Sequence, residues 1–282
     1  MSKEWTVKSL LEWTRGYFEK KGVPAARLEA ELLLAAVLGH DRVYLYANYD
    51  KPLNAQECKL YREVILRRVH HEPYAYITGQ KEFMSLKMNV NNQVLIPRPE
   101  TEMLVEEALQ AAAALKSARI CDIGTGSGAI AVSLAYYCPS AQVYASDISE
   151  AALAVAAENA RINNVKVDFR LGDLLEPFMS EESFDIIVAN LPYISEAEYQ
   201  KLMPEVRKHE PPQALLAPED GLGLYRRFLP QARELLYSKG YLFIEIGYTQ
   251  GVKAAEMMQG FNEVRVRRDY SGKDRMIQAR KV

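Results

Sequence analysis

Cys121-Asp122-Ile123-Gly124-Thr125-Gly126-Ser127-Gly128 is the stretch whose reading decides the fold. It closes a short strand that begins at Arg119, and it opens a helix expected over 129–137. Gly124 and Gly126 allow positive φ and a close backbone approach, which a ligand lying on the loop needs. The helix start adds exposed N–H groups. A glycine loop alone says little, because tight turns use glycine everywhere. The segments downstream give it meaning.

Asp147 ends a second strand, at a place where an acidic residue can accept both ribose hydroxyls. Asp173 ends a third, in Leu171-Gly172-Asp173-Leu174, where its carboxylate can take an exocyclic amino group and Leu174 can cover an adenine face. The apolar run over 184–189 is short enough to be a strand buried on both faces. Asn190-Leu191-Pro192-Tyr193 follows, the proline stopping the strand, and the run from Ser195 to Glu198 reads as a capping box. Strands are thus expected at 119–123, 142–147, 166–171, 184–190 and 240–246, with helices at 129–137, 150–163 and 222–238. That alternation implies a parallel sheet with helices on both faces, whose carboxyl edge binds ligands. The last two expected strands, 263–268 and 276–280, leave no room for a helix between them, so the final one should return antiparallel.

Working outward, residues 1–72 read as helices only: one capped by Thr6 and closed at Gly22, one from Ala25 to Leu38, and one opened by the Asn54–Glu57 capping box. Their apolar stripes need burial, so a small bundle is expected, either for partner recognition or as a stabilising cap. Residues 73–98 change to loose alternation and read as a β-hairpin linker, leaving 99–282 for the α/β domain. Arg98, Glu100 and Glu102 either face the cleft or form a solvated helix start. The chain has 282 residues and a net charge of −2, so no global positive field advertises nucleic acid. Its three cysteines show no CxxC spacing, which fits a reducing compartment and offers no metal site. With no apolar leader or membrane-length run, a cytoplasmic protein without membrane contact is expected, as a monomer.

The loop has Gly-x-Gly-x-Gly spacing preceded by Asp122. A dinucleotide pyrophosphate would sit badly beside that carboxylate, whereas a cationic ligand such as the ammonium of S-adenosylmethionine would sit well. Together with the reversed last strand, this makes the chain resemble the Rossmann-like (class I) S-adenosylmethionine-dependent methyltransferases. With a methyl donor present, Asn190-Leu191-Pro192-Tyr193 acquires a task. Amide and aromatic-amine nitrogens are poor nucleophiles because their lone pairs are delocalised. The Asn190 side-chain oxygen and the Leu191 carbonyl, held by Pro192, can accept the N–H hydrogens while Tyr193 packs on the planar group.

These four residues resemble the (Asn/Asp/Ser)-Pro-Pro-(Tyr/Phe) signature of amino-methyltransferases. Tyr76-Ile-Thr-Gly-Gln80 with Glu82-Phe83, Leu95 to Glu102, Asp122 to Gly128, Glu210-Pro211, Asp220-Gly221 and Asp269 to Arg275 are similar in order and wording to the PrmC/HemK family. Members of that family methylate the side-chain amide of the glutamine in the Gly-Gly-Gln motif of peptide chain release factors, a step in translation termination. The resemblance covers nearly the whole chain. It implies S-adenosylmethionine contacts at Gly124, Thr125, Gly126, Ser127, Gly128, Asp147, Leu174 and Asn190, beside the contact already read at Asp173. It also implies a glutamine site at Asn190, Leu191, Pro192 and Tyr193, with the helical domain holding the release factor. Two departures stand out: Leu191 replaces a usual proline, loosening φ there, and Leu174 stands where an aromatic is common. Neither removes a required chemical group. The rival reading is an adenine-amino methyltransferase on DNA or RNA, for which Arg67-Arg68 with His70-His71, and Arg265, Arg267 and Arg268, are the dense basic stretches. A third is a cofactor-binding module without catalysis, against which Asn190 and Tyr193 argue.

Overall fold

The computed structural model describes residues 4–282, which fall into two compact units. One comprises residues up to Gly79 together with Met203–His209. Its helices are α1 (Val7–Lys21), α2 (Ala26–Leu38), α3 (Arg42–Ala47), α4 (Ala55–Val69) and α5 (Tyr74–Thr78). Thr6 and Ser9 form the capping box of α1, and Val7, Leu10, Leu11, Thr14 and Phe18 line its buried face at helical spacing. Gly22 ends α1 at φ 72°, a left-handed position that glycine takes without strain. The capping box of Asn54 and Glu57 opens α4 as expected. The core gathers Phe18, Leu33, Leu34, Leu45 and Tyr61, whose hydroxyl donates to the Ala30 carbonyl across 2.9 Å. Arg68, only 4 % exposed, pairs with Glu29 at 2.9 Å and with Glu205, from the distant Met203–His209 segment, at 3.1 Å.

Two of these helices were not expected. The α3 segment is six residues long, capped by Asp41, and too short to show a full apolar period. The α5 segment occupies residues expected to begin the hairpin, so the hairpin is narrower than 73–98: β1 (Gln80–Phe83) pairs antiparallel with β2 (Leu86–Asn89).

The second unit, Gln80–Leu202 with Glu210–Val282, continues from this hairpin. In chain order come α6 (Pro99–Ala112), β3 (Arg119–Ile123), α7 (Ala129–Tyr137), β4 (Gln142–Asp147), α8 (Glu150–Ile162), β5 (Asp168–Leu171) and β6 (Phe184–Ala189). There follow α9 (Glu196–Tyr199), α11 (Gly223–Leu235), β7 (Leu236–Glu245), α12 (Gly251–Glu256), β8 (Phe261–Arg268) and β9 (Asp274–Lys281), while α10 (Pro204–His209) lies in the first unit.

The strands form one seven-stranded sheet in the order β5-β4-β3-β6-β7-β9-β8. All neighbours from β5 to β7 are parallel, and β9 is antiparallel to both β7 and β8. The alternation of strand side chains divides the core in two. Ile120, Val143, Ile186, Val188 and Phe243 pack with α6, α7 and the hairpin. Cys121, Ile123, Ile187, Ala189 and Leu242 pack with α11 and α12. Helix α11 ends at Leu235 rather than 238, because Leu236 already pairs with Phe184 at the start of β7. Among the described residues, no helix is long and apolar enough to cross a membrane.

Candidate active site

The carboxyl ends of β3, β4, β5 and β6 converge on a cavity of about 390 Å³. Of the residues singled out from sequence, Gly124, Thr125, Gly126, Ser127, Asp147, Asp173, Leu174, Asn190, Leu191 and Pro192 line it. Gly128 and Tyr193 are not among the lining residues. Gly128 sits at φ 78° beneath α8, where an added Cβ would lie 2.9 Å from the Ala156 Cβ; its absent side chain serves helix packing. Gly126, at φ 55°, faces open space, the nearest atom to an added Cβ being the Gly124 carbonyl oxygen at 4.0 Å.

That cradle is held from both sides. The Asp147 Oδ2 accepts the Gly126 N–H at 2.8 Å, and Oδ1 accepts that of Ser149 at 2.9 Å. Burial raises the Asp147 carboxyl above its ordinary value. The fully buried Asn159 side chain accepts the Asn89 N–H and donates to the carbonyls of Asn89 and Ser127, tying β2 to the glycine loop. Leu174 adopts φ 52° with its carbonyl oxygen accepting the Ser146 hydroxyl, which turns its side chain and Asp173 into the same lining. Asp173 pairs with Arg227, another lining residue.

Asp122 departs from expectation. It does not line the cavity; it is wholly buried under the loop, where Oδ2 accepts the Thr125 hydroxyl at 2.6 Å and the Ala131 N–H at 3.2 Å. Its Oδ1 has no hydrogen-bond partner, and burial pushes the carboxyl up to about 7.

Around Asn190 the side chains form a directed chain. The Asn190 Nδ2 donates to the Thr101 Oγ1 at 3.3 Å, and that hydroxyl donates to the Glu245 Oε2 at 2.6 Å. Tyr193 donates its phenol to the Glu245 Oε1 at 3.2 Å. Glu245 is 2 % exposed, and burial pushes its carboxyl up to about 7. The neighbouring backbone is clamped as well. The Leu191 N–H donates to the Tyr225 hydroxyl at 3.2 Å, which donates to the Glu245 carbonyl at 2.5 Å. Gln250 donates to the Tyr193 carbonyl oxygen at 2.9 Å. An added Cβ on Gly221 would lie 2.2 Å from that oxygen, so only glycine fits there.

Of the three residues left open at the start of α6, Arg98 lines the cavity and pairs with Glu210 at 2.5 Å. Glu102 accepts the Met84 N–H of the hairpin turn at 2.7 Å. Sequence reasoning did not find Thr101, Tyr225, Gln250 or Asn159. Each acts across more than 30 residues of chain, so no local spacing signals it.

A parallel sheet ending in one reversed strand, with a glycine loop and a carboxamide at adjacent strand ends, defines the class I methyltransferase fold. The chain matches the PrmC N-terminal domain family over residues 9–79 and a methyltransferase domain family over residues 120–213. It is 45 % identical over 278 residues to the release factor glutamine methyltransferase of Geobacter sulfurreducens, covering 98 % of this chain and 97 % of that one. It is 40 % identical to that of Rhodopirellula baltica, covering 99 % and 97 %. Among solved structures, the 16S rRNA N2 G1207 methyltransferase of Thermus thermophilus, in complex with AdoMet and guanosine, superposes with a TM-score of 0.51. It is 17 % identical over 72 % of this chain and 50 % of its own, a likeness of fold. The chain belongs to the release factor glutamine methyltransferase family.

Proposed function

We propose that this enzyme transfers a methyl group from S-adenosylmethionine to the side-chain amide nitrogen of the glutamine in the Gly-Gly-Gln motif of peptide chain release factors, in a translation-termination role. The observation that carries this is the orientation of Asn190: its nitrogen is engaged by Thr101, which leaves Oδ1 as the acceptor at a cavity-lining position beside Leu191 and Pro192.

The cofactor fits the cavity. Gly126 offers a cradle that a Cβ would fill, Asp147 keeps lone pairs for the ribose hydroxyls, and Leu174 and Asp173, which line the same cavity, would meet the adenine. When bound, S-adenosylmethionine supplies an electrophilic methyl on a sulfonium. The chain's own residues do the rest by position and electrostatics. Asn190 Oδ1 and the Leu191 carbonyl accept the two amide hydrogens of the substrate glutamine, so that its nitrogen lone pair is turned out of conjugation and aimed along the transfer axis. A methylated amide nitrogen would carry positive charge and be far more acidic, so Asn190 Oδ1 and the Leu191 carbonyl need only hold its hydrogens until solvent water takes one as a proton, and no strong base is needed. Tyr193, held through its carbonyl and phenol, fixes the turn that presents the Leu191 carbonyl.

The helical unit is the part we assign to holding the release factor, following the family match over residues 9–79. The basic stretches favour a protein substrate over nucleic acid, since Arg67, Arg68, Arg267 and Arg268 are paired with Glu72, Glu29, Glu107 and Asp274. A labelled methyl-transfer assay with purified release factor, DNA and RNA side by side tests the reading. Label on the release factor glutamine supports it, and label on nucleic acid alone overturns it. Asn190→Ala should abolish transfer while leaving cofactor affinity within roughly several-fold.

A further inference from the structure

A carboxamide presents nearly the same shape with its oxygen or its nitrogen forward. With nitrogen forward, Asn190 would point donors at a substrate that also offers donors, and the site would repel what it should hold. Something must break that symmetry. Thr101 cannot do so by itself, because a hydroxyl donates or accepts equally well.

We propose that Glu245, acting through Thr101, is a positioning residue that sets which end of the Asn190 amide faces the substrate; this rests on the methyl-transfer reading above. An ionised carboxylate only accepts. Glu245 therefore draws the Thr101 proton onto its Oε2, which leaves the Thr101 oxygen as an acceptor and obliges Asn190 to offer Nδ2. The carbonyl end is then directed away from Thr101. Tyr193 donates to the second oxygen, so both ends of the carboxylate receive protons and neither gives one. The order holds only while Glu245 is charged. A protonated Glu245 can donate to Thr101, whose own proton is then free to reach Asn190 Oδ1 and turn the amide over.

The groups around Glu245 fit this role. Thr101 and Glu100 approach from α6, Tyr193 from the loop after β6 and Arg275 from β9, while the Tyr225 phenol on α11 engages the Glu245 backbone carbonyl. Burial, reinforced by Glu100, lifts the carboxyl to about 7 against the opposing pull of Thr101, Arg275 and Tyr193. Its charge thus changes across the pH range in which the enzyme can be assayed.

Two sets of measurements test this. In the first, kcat for release factor methylation is followed from pH 5.5 to 8.5 in the full-length protein. Wild-type kcat should rise through pH 7. Glu245→Gln, which can donate as well as accept, should lose about ten- to hundredfold in kcat, keep the wild-type KM for S-adenosylmethionine and lose the rise. Thr101→Val should behave like Glu245→Gln, Thr101→Ser should restore most of the rate, and the double variant should be no worse than either single one. In the second, the side-chain ¹⁵N resonance of Asn190 is titrated without substrate; it should move near pH 7 in wild type and stay fixed in Thr101→Val. A folded Glu245→Gln with wild-type kcat and pH profile, equal loss from Ser and Val at position 101, or a static Asn190 resonance each overturns the proposal. Should Glu245→Gln fail to fold, the two Thr101 variants and the resonance decide it. If wild type methylates no release factor while the resonance still titrates, the substrate reading falls and the positioning role stands.

Discussion

Tyr225→Phe isolates one oxygen atom whose loss the structure allows to be costed. The ring is wholly buried on α11, packed near Phe228, and a phenylalanine keeps that packing. What disappears is the hydroxyl that accepts the Leu191 N–H at 3.2 Å and donates to the Glu245 carbonyl at 2.5 Å. Leu191 is 4 % exposed, so its N–H has no ready route to water. A buried polar group stripped of its partner costs about 1–3 kcal/mol. With two groups affected, the loss is about 2–6 kcal/mol, a large share of the roughly 5–15 kcal/mol that holds a domain together. At about 2–4 °C per kcal/mol for a domain of this size, the melting temperature should fall by about 4–24 °C. Thermal unfolding followed by circular dichroism measures it, with kcat measured below the transition. Leu191→Pro sharpens the test, because proline has no N–H to satisfy. In that background Tyr225→Phe should cost about half as much. A Tyr225→Phe protein that melts with wild type, or a cost unchanged by Leu191→Pro, would refute the reasoning.

Other outcomes are equally specific. Asp122 holds its proton more tightly folded than unfolded, its carboxyl rising from 3.8 to about 7 through burial. The stability this gives is complete below pH 4, declines as pH rises and is gone above 7; Asp122→Asn should therefore show a smaller loss between pH 4 and 7 in urea melts than wild type. Gly126→Ala, facing open space, should cost about 1–2 kcal/mol of left-handed strain yet weaken S-adenosylmethionine binding in calorimetry far more than stability. Gly128→Ala, driven against Ala156, should do the reverse. Asn159→Leu should lower stability by about 2–6 kcal/mol in urea melts, because the Asn89 N–H and the Ser127 carbonyl lose a buried partner.

How much of this was written in local sequence differs by element. The central strands β3 and β6 announced themselves because strands buried on both faces are near-continuous apolar runs, and the carboxyl-edge residues after them follow from where those runs stop. Helix α3 was hidden by its length, and α5 by aromatic residues that suit strands and helices alike. The cavity-lining set from Gly124 to Ser127, with Asp147, Asp173 and Asn190, is local in origin and was legible. Asp122 was misjudged because spacing shows that an acid precedes the loop without showing which way it points; it turned inward to Thr125 and Ala131. Leu191 looked like a weakness next to a proline, yet its N–H finds Tyr225, which lies 34 positions away and could not be seen from the motif.

The first compact unit is completed by Met203–His209, where Glu205 meets Arg68 and the His209 ring nitrogen lies 3.1 Å from the His70 carbonyl oxygen. A chain leaving the ribosome from its amino end therefore presents Arg68, able to pair only with Glu29, and the His70 carbonyl long before Glu205 and His209 have been synthesised. The amino-terminal helices must wait in an unfinished state while well over a hundred further residues emerge, and a nascent chain stalled short of residue 209 carries a helical bundle that lacks its clasp.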